Sequence, residues 1–271
     1  MTLGKVENAD GPSLKILVVD DDELNRRMMK ILLSREGHQV DLAANGMDAL
    51  DAVKYQRFDI VFMDLQMPTM DGVEASRRIR EWENGGMHTF IVALTASYLP
   101  EEGQRLFEAG IDNYISKPFQ FDHIQRILNL ISHPSQPLLR STPMNSEQPS
   151  EHKVLDEEQG RQRVGGDKDT FRELLGDFIQ NLPIRIARIE KLLLERDMEA
   201  FSREVHNLKG VSLNLGAMEL AHYADELDKQ SNEGYTRQHE GLFINLKKAE
   251  TDLLRTANDF LLNQGSSVGQ A

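Results

Sequence analysis

Residues Ile16–Arg26 read ILVVDDDELNR. Four aliphatic residues stop at three aspartates, and beyond them Leu24, Met28 and Ile31 recur at helical spacing. The aliphatic run is too short for a helix, so it predicts a buried strand whose carboxyl end opens onto Asp20, Asp21 and Asp22 before a helix begins. The same unit recurs downstream. Val40–Ala43, Asp59–Met63, Phe90–Leu94 and Tyr114–Ser116 are short apolar runs, and the segments between them are amphipathic, as at Val73, Ser76 and Ile79. Five such units between Lys15 and Ser132 predict an α/β fold: a doubly wound five-stranded parallel sheet covered on both faces, with its ligand site at the carboxyl ends of the strands.

The composition changes at His133. Pro134, Pro137, Pro143 and Pro149 lie among Ser, Gln and Asn, which predicts a linker over 133–152. Beyond Leu155 no strand pattern recurs. Phe171, Leu174, Leu175 and Phe178, then Ile186, Ile189 and Leu193, follow helical period. Pro183 between them is expected to kink the helix or start a new one, and polar breaks at Glu195–Asp197 and Ser231–Gly234 separate further helices. An all-α antiparallel bundle with short connections is predicted, ending in a frayed tail over Gly265–Ala271. The expected organisation is therefore 15–132, a linker over 133–152, and 153–264, and a chain of 271 residues is long enough for two cores.

Charge and composition exclude several classes of function. With 31 Lys and Arg against 44 Asp and Glu the formal charge is −13, which argues against nucleic acid as a partner. The absence of cysteine removes disulfides, thiolate metal sites and a cysteine nucleophile. Met1–Ser13 is polar and unlike a secretion signal, and nothing approaches the eighteen or so apolar residues of a membrane helix. The expectation is a cytoplasmic protein with no membrane insertion.

In a sheet of this kind the strand ends converge, which would gather Asp20–Asp22, Asp64, Thr95 and Lys117 in one pocket. Close carboxylates repel unless a proton or a hard cation sits between them, and a set of oxygen ligands suits Mg²⁺. A phosphoryl group arriving at one carboxylate would meet the metal, the Thr hydroxyl and the Lys ammonium. Taken singly, each acidic residue reads as a helix cap or a solvated side chain; the joint arrangement at four strand ends is what points to chemistry. The letters ILVVDDDELNR, DIVFMDLQMPTMDG, ALTA and YISKPF, in this order, closely resemble the response-regulator receiver domain, a flavodoxin-like fold, over Lys15–Ser132. The resemblance implies that Asp64 accepts a phosphoryl group and that Asp20 and Asp21 hold Mg²⁺ with Asp64 and the backbone carbonyl of Gln66. It further implies that Thr95 and Lys117 contact the phosphoryl oxygens, that Thr95 and Tyr114 form a conformational switch, and that the Lys117–Pro118 bond is cis. One departure is visible: the strand leading to Thr95 begins Thr89-Phe90, where the family commonly has a proline.

In the second half, Phe201, Val205, Leu208 and Leu215 form one apolar stripe and His206 lies off it. At 100° per residue, Lys209 and Gly210 fall about 60° and 40° to either side of His206, so the three share one face, expected to be exposed. There Lys209 would attract a phosphoryl group and Gly210 would clear space for a partner's approach, while an accessible, near-neutral His206 offers a ring nitrogen as nucleophile. A lone helical histidine is ordinarily a surface residue, as the other seven are read. HNLKG followed by Leu215-Gly216-Ala217, with LDEE at Leu155–Glu158 and the turn Gly165-Gly166-Asp167, closely resembles the histidine phosphotransfer (HPt) domain. That implies a phosphoryl group on His206, with Lys209 and Gly210 supporting docking; Leu213, on the same face, is bulkier than the small residue expected there.

No G-x-x-x-x-G-K-S/T loop and no segment resembling a kinase ATP-binding part is found, nor a DNA-binding output module. The combined expectation is a phosphorelay protein without its own ATP-dependent kinase domain. Asp64 would take a phosphoryl group from a sensor histidine kinase, and His206 would exchange one with Asp64 or with the receiver domain of a downstream response regulator. A phosphorylation-regulated binding module and a phosphate sink are the alternatives. A linker of about twenty residues spans near 25 Å, from roughly 5–6 Å times the square root of its length, which makes an encounter within one chain feasible. The initiator-like Met1 weighs against a terminal piece of a hybrid kinase.

Overall fold

The computed structural model describes residues 12–95, 100–118, 120–132, 153–231 and 234–263. The polar start, Ala96 of ALTA, Phe119 of YISKPF, the linker expected over 133–152, part of the break at Ser231–Gly234 and the tail from Gly265 lie outside the described residues. The chain divides into two compact units, Met1–Met144 and Asn145–Ala271.

In the first unit five parallel strands, β1 (Lys15–Val19), β2 (Gln39–Ala43), β3 (Ile60–Asp64), β4 (Phe90–Thr95) and β5 (Asn113–Ser116), stand in the order β2-β1-β3-β4-β5. They alternate with α1 (Glu23–Arg35), α2 (Gly46–Tyr55), α3 (Gly72–Glu83), α4 (Pro100–Glu108) and α5 (Phe121–Ser132). Ile16–Val19 and Ile60–Met63 are wholly inaccessible, because β1 and β3 lie at the centre of a sheet covered on both faces; such strands are continuously apolar rather than alternating. The chain direction of strand addition reverses between β1 and β3, and the crevice outside the carboxyl ends at that reversal is where such sheets bind ligands.

Local sequence sets the helix starts. Asp22 caps α1 by accepting from the N–H groups of Leu24 and Asn25, Asn45 caps α2 and Asp71 caps α3. The buried stripe of α1 is Asn25, Met28, Met29, Leu32 and Leu33, whereas Leu24 and Ile31 are only half-buried. Helical spacing found the helix but centred its inner face one residue off, since a wide apolar face leaves the centre open to more than one choice. The missing proline before Thr95 also has a structural reason. The Thr89 N–H donates to Glu83 Oε1 at 2.7 Å and the Phe90 N–H to the Asp59 carbonyl at 3.3 Å, and proline could supply neither donor.

The second unit is all-α: α6 (Glu157–Arg163), α7 (Lys168–Glu195), α8 (Met198–Asn214), α9 (Met218–Ser231) and α10 (Arg237–Asn263). Phe171, Leu174, Leu175, Phe178, Ile186, Ile189 and Leu193 are all buried along one face of α7. Pro183 does not begin a new helix, because α7 runs through it unbroken. Proline removes only the bond to the carbonyl four residues back, Pro183 is exposed, and the buried neighbours Leu182 and Ile186 hold the helix to the core on either side. Left-handed Arg196 ends α7 and Asp197 caps α8 by accepting from the Ala200 N–H.

Candidate functional site

The acidic pocket is built where β1 and β3 end. Asp20 follows the last residue of β1, and Asp64 is itself the last residue of β3, so the strand hydrogen bonds fix its backbone while its side chain stays 6% exposed. Asp64 Oδ1 accepts from the Gln66 N–H at 3.1 Å and Oδ2 from Lys117 Nζ at 2.6 Å. Lys117 also reaches Asp20 Oδ2 at 3.0 Å, and the Asp20 Oδ1 accepts from the Asp22 N–H at 2.9 Å. Gly72 is required beside this site: a Cβ there would stand 2.2 Å from the Asp64 carbonyl oxygen.

Lys117 arrives by way of β5. Thr95 lies opposite Ser116 in the β4–β5 register, its carbonyl accepts from the Lys117 N–H at 2.6 Å, and the Lys117–Pro118 peptide is cis. Tyr114, one strand pleat back and opposite Ala93, is half-buried against the core that includes Val61, Met63 and Ala93.

Asp20, Asp21 and Asp64 offer oxygens all within 4.8 Å of one another, and among the described residues they form the one such group of three. Burial pushes the Asp64 carboxyl up, Lys117 pulls it back and Asp20 adds to the rise, leaving it at about 6. Burial works against the charge on Lys117, but the carboxylates of Asp20 and Asp64 outweigh it and hold the ammonium above its usual range. Three carboxylates with oxygens this close are the ligand set that a hard divalent cation takes, so these residues fit Mg²⁺.

The second site lies between α8 and α9. Phe201, Val205, Leu208 and Leu215 are buried, as the stripe requires, and His206 points off it. The face is less open than the helical wheel suggested, because α9 packs beside it: His206 is 18% and Lys209 23% exposed. His206 Nδ1 lies 2.9 Å from Asp228 Oδ2, and Lys209 Nζ lies 2.6 Å from Asp225 Oδ1 and 3.3 Å from the same Asp228 oxygen. A carboxylate offers only acceptors, so the hydrogen of the first pair sits on Nδ1 and Nε2 of the neutral ring keeps its lone pair. Burial raises the Asp225 carboxyl, but hydrogen bonds from Lys209 and Lys229 outweigh it and hold the group below its usual range. A Cβ on Gly210 would meet nothing within 4 Å. Leu213 is half-buried, and its carbonyl accepts from Arg163.

Asp225 and Asp228 carry no sequence signal of their own. They stand three residues apart, on one helical face, but a carboxylate pair on a charged helix is unremarkable until the helix it faces is known. Asn25 and Arg26 likewise carry none, although both reach back to Asp20: Asn25 Nδ2 lies 3.3 Å from its Oδ1, and Arg26 Nη1 donates to its carbonyl at 2.6 Å.

Comparison with known proteins finds the model of the response regulator receiver domain over residues 16–129 and that of the Hpt domain over residues 173–256. The sensor histidine kinase GacS of Pseudomonas protegens is 31% identical over 212 residues, covering 76% of this chain and 23% of that protein. The sensor histidine kinase RcsC of Escherichia coli K12 is 39% identical over 122 residues, covering 45% of this chain and 12% of that protein. The chain thus spans under a quarter of the length of either of these curated relatives. Among solved structures, the receiver domain of the sensor histidine kinase PA1611 from Pseudomonas aeruginosa, with a magnesium ion coordinated in its active-site cleft, is 36% identical. It covers 44% of this chain and 96% of that one, with a TM-score of 0.40. No described helix is long and apolar enough to cross a membrane.

Proposed function

We propose, for a chain that joins a response-regulator receiver domain to an Hpt domain and so belongs to two-component phosphorelay signalling, that Asp64 and His206 are its two phosphoryl carriers. Asp64 takes the group from the phosphohistidine of a sensor histidine kinase, and His206 exchanges it with a receiver aspartate, either Asp64 or that of a downstream regulator. The units we assign are 15–132 for the receiver and 153–264 for phosphotransfer, joined by 133–152. The observation that carries the reading is the pairing of Lys117 with both Asp20 and Asp64, beside a carboxylate group that needs a divalent cation.

At the receiver, an ionised Asp64 oxygen attacks phosphorus as the donor's N–P bond breaks, giving an acyl phosphate and a neutral imidazole. Asp20, Asp21, Asp64 and the Gln66 carbonyl would hold Mg²⁺. When bound, that ion supplies positive charge to the phosphoryl oxygens. Lys117, freed from Asp64 as the carboxylate charge is consumed, neutralises a second oxygen, and the Thr95 hydroxyl donates to a third. Displacement of Thr95 and Tyr114 toward the occupied site would report phosphorylation to a partner surface.

At the Hpt unit no proton has to move. His206 attacks phosphorus through Nε2 as the O–P bond of the receiver's aspartyl phosphate breaks and its carboxylate leaves; Nδ1 keeps its hydrogen on Asp228, and the positive charge that develops on the ring is met by the Asp228 carboxylate. The reverse step expels a neutral imidazole. Lys209 exchanges Asp228 for a phosphoryl oxygen, and Gly210 leaves a clear approach for the receiver that docks. Glycine inside a helix costs roughly 0.5–1 kcal/mol relative to alanine, and nothing within the unit requires it.

Incubation of the purified chain with Mg²⁺ and a small acyl phosphate, followed by borohydride reduction and peptide mapping, tests the receiver half. A single reduced residue at Asp64, absent without Mg²⁺, is expected; modification elsewhere with Asp64 untouched would overturn the assignment.

A further inference from the structure

Asp20 is held at five points. The Asp22 N–H and Asn25 Nδ2 both donate to its Oδ1, Lys117 Nζ to its Oδ2, Arg26 to its backbone carbonyl, and its own N–H donates to the Ala43 carbonyl at 3.3 Å. Asn25 is the unexpected part of this clamp. It is 4% exposed, and its Oδ1 is buried with no hydrogen-bond partner. Turning the amide over would not help, because Oδ1 would then face the Asp20 carboxylate, acceptor against acceptor. A buried unpaired acceptor costs stability, and a leucine of nearly the same shape would fill the space without it. The fold alone therefore gives no reason for an amide here; the hydrogen it extends to Asp20 does.

We propose that Asn25 is a positioning residue for the metal site: its amide fixes the rotation of the Asp20 carboxylate, so that Asp20 shares Mg²⁺ with Asp64 instead of turning fully onto Lys117. Arg26 holds the same residue by its main chain. This rests on the reading of the pocket as a Mg²⁺ site given above. Asn25 touches neither the metal nor the phosphoryl group, so its removal acts on affinity for the ion and leaves the chemical step intact.

Isothermal titration of the whole chain with Mg²⁺ alone tests this in wild type, Asn25→Leu and Asn25→Ala, alongside thermal unfolding in EDTA and phosphorylation rates across Mg²⁺ concentrations. Asn25→Leu is expected to bind Mg²⁺ roughly three- to tenfold more weakly, the effect of losing one hydrogen bond of ordinary strength. It should unfold in EDTA no earlier than wild type and regain the wild-type rate, to within about twofold, at saturating Mg²⁺. Unchanged Mg²⁺ affinity in both variants overturns the proposal. So does a rate that stays low at saturating Mg²⁺, and so does unfolding of both variants, which would make Asn25 a residue of the fold. Wild-type protein that takes up no Mg²⁺, or takes it up equally well as Asp20→Asn, overturns the metal reading itself and is told apart from the other results by the wild-type titration.

Discussion

The two sites solve opposite problems with similar parts. Both pair one lysine with two carboxylates: Lys117 with Asp20 and Asp64, and Lys209 with Asp225 and Asp228. In the receiver chemistry proposed above the Asp64 carboxylate is the nucleophile, and it lies at the end of a wholly buried strand where burial lifts it to about 6. In the proposed Hpt chemistry the carboxylates are auxiliaries, and the nucleophile is the His206 imidazole between α8 and α9. An acyl phosphate forms only where charge can be gathered, so its site is deep and calls for a metal. A phosphohistidine must be reached by another protein's pocket, and the proposed carrier His206 lies on a helix side near Gly210, where a Cβ would meet nothing within 4 Å. Burial supports the first chemistry and access the second.

The comparison breaks first if the carriers are wrong. Asp64→Asn should abolish base-labile label and His206→Gln should abolish acid-labile, base-stable label, each to background on a gel, while both proteins stay folded by circular dichroism. The next effect is on Asp228, whose replacement by Asn leaves either ring nitrogen free to carry the hydrogen. Transfer through His206 should slow by about 10²-fold, on the order of a misplaced acid–base partner, with the Asp64 reaction unchanged in the same preparation.

Titration sharpens the contrast further. The Asp64 carboxyl is raised above its unfolded value of 3.8, so the folded state binds more protons than the unfolded between those values, and stability falls as pH rises through about 6. Mg²⁺-free Asp64→Asn should then be more stable to thermal unfolding than wild type at pH 7–8, by on the order of 3 kcal/mol, and the gain should vanish near pH 4. Added Mg²⁺ should reverse the order at neutral pH by stabilising wild type alone. The smallest effect belongs to Gly210→Ala. It should raise the stability of the Hpt unit by roughly 0.5–1 kcal/mol in urea, while slowing transfer to a receiver and leaving phosphoryl loss from isolated phospho-His206 unchanged.

The legible and illegible parts of this molecule divide along sequence distance. Strand–helix alternation gave the sheet, because each strand is apolar along its own length, and Asp20, Asp64 and Lys117 could be placed together because parallel strands bring their carboxyl ends to one side. His206 was legible from a stripe within a single helix. What faced it was not: Asp225 and Asp228 belong to α9, and the rotation of α9 against α8 is set by buried residues such as Leu227 and Ala224, which a one-helix reading cannot align. Asn25 was hidden differently. Its position on the inner face of α1 resembles any buried residue, and only the Oδ1 left without a partner marks it as more than packing.

Transfer from a preloaded phosphohistidine kinase, with Mg²⁺ and labelled phosphate, tests the central claim in wild type, Asp64→Asn and His206→Gln together. A phosphorelay through both carriers predicts base-stable label on His206 in wild type and its disappearance in Asp64→Asn, with base-labile label persisting in His206→Gln. Label confined to Asp64 in wild type, and never found on His206 even with a phosphorylated downstream receiver as donor, would contradict it.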